Sequence, residues 1–239
     1  MTFDAALVRL EAGLRSTLPG PDAQARLAPL PRRQWPSGLN PARIRNAAGL
    51  LLVYPKPANA KPAEHAKQNM SSSRVLRPLR SSSDQAHIIL TVRADALRHG
   101  GQVSLPGGVV DPGETFEQTA LREAHEEIAL PLEDVRVLGP LTPLDIPVSG
   151  FRLHPIVAVN PARPALTPSD GEVARILEVG LDELLDPQHF STTERVRDGV
   201  TFRVPAFHIH GVEIWGATAM VLAEFLALLG WEGHVMADS

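Results

Sequence analysis

Cysteine is absent from the 239 residues, so disulfides, zinc–thiolate sites, iron–sulfur clusters and cysteine nucleophiles are excluded together. A surplus of positive charge is missing too: 23 Lys and Arg stand against 27 Asp and Glu, for a net charge of −4 and a pI near 6.1. That excludes nucleic-acid binding through bulk positive charge. A phosphorylated ligand would have to be met by local cations or a metal. No apolar run reaches the roughly 20 residues a bilayer requires. The longest, Trp215 to Trp231, is interrupted by Glu224 and reads as a buried helix, so no membrane partner is expected. The N-terminus carries Asp4 and Glu11 and no long apolar core. It reads as neither signal nor transit peptide, and the expected setting is cytoplasmic. There is no G-x4-G-K-[ST] phosphate loop, no internal repeat and no regular βαβ alternation.

What is present suffices for a sizeable core, with 44% apolar and 21% charged residues. Proline, at 22 residues, implies fixed turns and short elements. Phe3, Leu7, Leu10 and Leu14 recur at helical spacing up to Pro19-Gly20, and residues 19–42 read as irregular. The chain is expected to divide into an N-terminal helix and extended arm over 1–42, a main domain over 43–231 and a tail over 232–239. Strands are expected over 47–54, 87–93, 103–105, 151–160, 174–179 and 201–210, and helices over 114–128, 181–185 and 217–229. Between the first two strands, residues 55–84 hold two triple-serine clusters and six Lys or Arg with almost no apolar periodicity. This reads as a flexible loop insertion, either a solvated one or a basic arm beside an anionic substrate. The mixture of strands and helices points to an α/β fold, a mixed sheet with helices on both sides.

The chemistry concentrates in residues 105–130, LPGGVVDPGETFEQTALREAHEEIAL. Pro106-Gly107-Gly108 and Asp111-Pro112-Gly113 are turn sequences that let backbone approach another group closely. In the helix that follows, Glu123 and Glu127 are i,i+4 neighbours and Glu126 lies beside them, while Ala120, Leu121, Ala124 and Ile128 form the apolar side. Such carboxylates repel by a few tenths of a kcal/mol per pair on a bare helix. A divalent cation reverses that sign, and hard oxygen ligands suit Mg²⁺ or Mn²⁺. A solvated acidic face is the alternative.

This segment resembles the Nudix box, G-x5-E-x7-R-E-U-x-E-E-x-G-U, where U is a bulky apolar residue. Gly108, Glu114, Arg122, Glu123, Glu126, Glu127 and Leu130 stand on the pattern. Ala124 is a small residue at U, and Ala129 stands in place of the last glycine. The resemblance implies a Nudix-type α/β/α sandwich with a mixed sheet, hydrolysing a small-molecule nucleotide diphosphate with Mg²⁺ or Mn²⁺. It implies that Glu123, Glu126, Glu127 and the Gly108 carbonyl bind the cations. Arg122 would pair with Glu114 as a structural clamp. Glu123 and Glu127 are the implied catalytic residues. The general base stays open between Glu123 and a later loop residue, Asp170 or Glu172.

Upstream, residues 89–108 are similar to the run that precedes the box in coenzyme A diphosphatases, LLT-x-R-[SA]-x3-R-x3-G-x3-FPGG. Ile89, Leu90, Thr91, Arg93, Ala94, Arg98, Gly101, Pro106, Gly107 and Gly108 match; Leu105 replaces phenylalanine, and the Arg98–Gly101 spacing is one residue short. Residues 172–187 and 207–226 also resemble that family. The expected substrate is coenzyme A, cleaved to 3′,5′-ADP and 4′-phosphopantetheine. The alternatives are an ADP-ribose or NADH diphosphatase and a non-catalytic Nudix-fold sensor. Arg93 and Arg98 are the expected substrate cations, or else strand-end arginines packing on carboxylates. His208 and His210, which share a strand face and could mimic a metal pair, are expected to be structural, and Trp215 is expected to pack the last helix rather than stack on adenine. A homodimer is left open.

Overall fold

The computed structural model describes residues 1–57, 83–94, 100–197 and 199–233. The expected insertion therefore lies largely outside the described residues, and so do Arg98 and most of the tail. The chain begins with α1 (Phe3–Leu14), α2 (Gly20–Ala25), β1 (Arg45–Lys56), β2 (Gln85–Arg93), β3 (Val103–Ser104) and β4 (Gly107–Val109). Next come α3 (Phe116–Ile128), β5 (Arg136–Pro140), β6 (Leu144–Ile146), β7 (Phe151–Val159), β8 (Val173–Gly180) and α4 (Leu181–Leu185). The chain closes with β9 (Phe190–Arg197), β10 (Val200–Ile209), β11 (Val212–Trp215) and α5 (Gly216–Leu228).

β1 explains the layering. Its run of apolar residues alternates between two cores. Ala48, Leu50, Leu52 and Tyr54 pack with Ala120, Ala124 and Ile128 of α3. Leu51 and Val53 share the other core with Phe3 and Leu10 of α1 and with Leu222 and Phe225 of α5. A strand buried on both faces must lie inside a sheet. β1 pairs in parallel with β7 and antiparallel with β2 and β4. Among the described residues β1 to β8 form one mixed sheet, and β9, β10 and β11 form a second, antiparallel sheet. Helices cover both faces of the larger sheet, which is the α/β/α sandwich expected from the sequence. Among the described residues no helix is long and apolar enough to cross a membrane.

Three readings change in detail. Residues 19–42 are not wholly irregular: α2 forms with Pro21 in its first turn, where a missing N–H costs nothing. Gln24 of α2 then meets the buried Glu224 of α5 at 2.9 Å. The expected insertion starts later than residue 55, because Pro55 and Lys56 still pair with Ala86 and Gln85. α3 starts at Phe116 rather than Glu114, because Thr115 caps it: the Thr115 hydroxyl accepts from Gln118 N–H, and the Gln118 side chain accepts from Thr115 N–H.

Candidate active site

Close packing requires the glycines before α3. β4 lies so near β1 that a Cβ on Gly107 would stand 2.3 Å from the Ala48 carbonyl oxygen. A Cβ on Gly108 would stand 2.4 Å from the Glu123 carboxylate. The absent side chains let the loop backbone and the glutamates of α3 share one corner. There Gly107 N–H donates to Glu127 Oε2 at 3.2 Å.

Arg122 ties the loop to the helix. Its Nε and Nη2 donate to the two oxygens of Glu114 at 2.8 and 3.0 Å, a bidentate pair. Nη2 also donates to the Val109 carbonyl at 3.3 Å, while Nη1 donates to Glu123 at 2.8 Å and Glu126 at 3.1 Å. The Arg122 and Thr119 hydrogen bonds hold the Glu114 carboxyl at about 2, well below its ordinary value.

Glu127 moves the opposite way. Burial pushes its carboxyl up to about 7, the charges of Glu123 and Glu172 add to the rise, and Gly107 N–H and Arg93 oppose it. Glu172 is brought there by strand edge pairing, its carbonyl accepting from Ala94 N–H at 2.9 Å. Glu123, Glu127, Glu172, Gly108 and Arg93 all line one cleft of about 1130 Å³. Glu126 does not line it and is turned onto Arg122, and Asp170 is not among the lining residues either.

Among the described residues no three acidic or imidazole side chains already converge on one point. The donors nevertheless fit a hard divalent cation. Glu123 and Glu127 present oxygen ligands with mutual repulsion, in a corner where burial makes that repulsion costly. His208 and His210 form no second metal pair. His208 Nε2 contacts Ser191 Oγ at 2.7 Å, and His210, in a turn at φ 52°, contacts Glu183 at 2.8 Å.

The cleft also contains residues that the sequence did not suggest. Arg32 and Arg33 of the N-terminal segment and Arg195 and Arg197 of β9 line it, and so does Trp215, expected from the sequence to pack the last helix. Two signals were available: the Arg32-Arg33 doublet, and the i,i+2 spacing of Arg195 and Arg197, which places both on one face of a strand.

Comparison with known proteins matches the NUDIX domain family over residues 73–198. A relative named "Uncharacterized Nudix hydrolase NudL", from Yersinia pestis (strain Pestoides F), is 42% identical over 137 residues, which are 56% of this chain and 68% of the relative. Its counterpart in Yersinia pseudotuberculosis serotype O:1b matches equally. Among solved structures, the Nudix hydrolase RenU of M. smegmatis is 26% identical with a TM-score of 0.43, over 59% of this chain and 73% of that one. A C. elegans Ap4A hydrolase is 17% identical with a TM-score of 0.40, over 59% of this chain and 84% of that one. The family match spans the glycine loop, the Arg122 clamp and the glutamates of α3, and this chain belongs to the Nudix family, hydrolases of nucleotide-diphosphate-type substrates.

Proposed function

We propose that the chain is a coenzyme A diphosphatase that uses Mg²⁺ or Mn²⁺ and yields 3′,5′-ADP and 4′-phosphopantetheine. One observation carries the reading: Glu127 and Glu123 sit with Glu172 in a cleft also lined by arginines. That cleft combines ligands for a hard cation with charges that attract a polyanion, on a chain whose net charge would otherwise repel one. The run from Ile89 to Gly108 favours coenzyme A over ADP-ribose or NADH as the polyanion.

Glu123 and Glu127, with Glu126 after rotation away from Arg122 and with the Gly108 carbonyl, would hold the cations. When bound, these supply charge neutralisation of the diphosphate and a more acidic water. Arg93, whose charge reaches Glu127, orients the diphosphate. Glu172 takes the proton as the water oxygen bonds to one phosphorus, and the bridging P–O bond breaks so that the other half leaves as a phosphomonoester with the bridging oxygen. Arg122 and Glu114 touch no reacting atom in this scheme; they hold the loop against the helix.

The test is purified protein with Mg²⁺ or Mn²⁺ and a panel of coenzyme A, dephospho-coenzyme A, ADP-ribose and NADH, with products resolved by chromatography. Coenzyme A should be cleaved fastest. Faster cleavage of ADP-ribose overturns the substrate assignment, and binding without turnover of any panel member overturns the enzyme reading in favour of a sensor.

A further inference from the structure

Part of the cleft lining comes from distant parts of the chain, Arg32 and Arg33 of the N-terminal segment and Arg195 and Arg197 of β9. The N-terminal segment is pinned to β10 by two reciprocal backbone hydrogen bonds, Leu30 N–H to the Arg203 carbonyl at 2.9 Å and Arg203 N–H to the Leu30 carbonyl at 2.8 Å. This sets Arg33 over the ring of Phe202, 5.3 Å from its centroid. Phe202 stands directly opposite Arg195 in the β9–β10 pairing. Arg195 lies in turn over the ring of Trp215, 4.5 Å from its centroid, and is ion-paired with Glu213. The result is a row of guanidinium, ring, guanidinium, ring in the cleft lining. The acidic residues beside this row are Glu213, paired with Arg195, and Asp145 of β6, which lines the cleft and whose carboxyl is lowered in part by the Arg32 charge.

A guanidinium laid on a ring has its plane fixed, and its five N–H donors are more than one partner uses, so a stacked arginine that already has a partner can still take a forked contact to phosphate. One carboxylate does not use all five N–H donors, so the Glu213 pair leaves Arg195 capacity for an anion. Arg93, by contrast, lies close enough to affect Glu127 and belongs to the reacting end. A nucleotide with its diphosphate at Glu123 and Glu127 would present any further phosphate elsewhere in the cleft.

We propose that Arg33 and Arg195, stacked on Phe202 and Trp215, form a specificity subsite for a phosphomonoester carried on the ribose of the substrate. The proposal rests on the diphosphatase reading and deepens it. It moves recognition of the extra phosphate from the run before the box to the N-terminal segment and the β9–β10 hairpin.

The test is calorimetric titration of the full chain, without metal, using adenosine 3′,5′-bisphosphate and AMP as probes. Wild type should bind the bisphosphate about 10-fold or more tighter than AMP, as a charge-assisted contact implies. Arg33→Ala and Arg195→Ala should each bring that ratio towards one. Arg33 is exposed, so its variant decides the matter even if loss of the Glu213 pair prevents Arg195→Ala from folding. A wild-type ratio near one, or a ratio unchanged in Arg33→Ala, overturns the subsite. The two readings separate: coenzyme A cleavage with an unchanged ratio overturns the subsite alone. A bisphosphate preference lost in Arg33→Ala, without coenzyme A cleavage, supports the subsite and overturns the substrate assignment.

Discussion

Glu127 of α3 and Ala129, which caps the C-terminus of that helix, both pull against its stability. Glu127 is a carboxylate that burial and its acidic neighbours keep near neutrality. Glu127→Gln removes the charge while keeping the shape, so the fold should be unharmed or slightly more stable. Turnover should fall by 10²-fold or more, roughly 3 kcal/mol of transition-state stabilisation. Single-turnover kinetics beside a thermal melt check both halves, and an active variant would remove Glu127 from the metal site. Ala129 ends the same helix in the left-handed region, at φ 51° and ψ 37°, where the family pattern has glycine. A Cβ is strained there, and Ala129→Gly should stabilise by about 1 kcal/mol. The substitution touches no cation ligand, so the melting temperature should rise while kcat stays level.

At the scale of elements, legibility followed sequence distance. α3 was readable because its cap, its apolar stripe and its carboxylates all lie within one short segment. β1 and β2 were readable because buried strands are nearly continuous apolar runs. β9, FSTTERVR, was missed because no residue in it is fully buried and its side chains give no apolar alternation. The site divided in the same way. Glu123, Glu126 and Glu127 are local, whereas Arg33 and Arg195 meet only through the Leu30–Arg203 bridge and the β9–β10 register. Pairing between elements also makes a pH prediction. Glu178 of β8 accepts from the Tyr54 hydroxyl of β1 at 2.6 Å and from Arg163 Nε at 2.7 Å. Burial pushes its carboxyl up, but Arg163, Tyr54 and the Lys56 charge together outweigh that and hold it at about 2. The folded value is depressed, so this stabilisation is complete above the unfolded value and is lost as pH falls through the folded one. Wild type should lose on the order of 2 kcal/mol on this account between about pH 5 and pH 2. Glu178→Gln should melt lower at pH 7 and show a flatter acid limb, as denaturant titrations across that range would reveal.

For the whole molecule the question is whether residues 43–231 can stand without what precedes them. Phe3 and Leu10 of α1, with Leu27 just after α2, are buried in the same core as Leu51, Val53 and α5. Burying each of these three side chains is worth roughly 1.5–3 kcal/mol. Glu224, fully buried in α5, accepts from Gly20 N–H at 3.2 Å, Gln24 Nε2 at 2.9 Å and Thr142 N–H at 3.2 Å. Removal of residues 1–42 would take away the first two of these three donors and the α2 residues packed against Glu224. Together these losses match the roughly 5–15 kcal/mol that holds a domain folded. A chain beginning at residue 43 should therefore lack a cooperative thermal transition and bind a hydrophobic dye. The milder Leu10→Ala should lower stability by about 2–5 kcal/mol while keeping the transition cooperative. A cooperative melt of the truncated chain near the wild-type temperature would show that α1 and α2 are dispensable. It would also leave the cleft without Arg33, so the same truncated protein would report how much of the nucleotide preference the N-terminal segment carries.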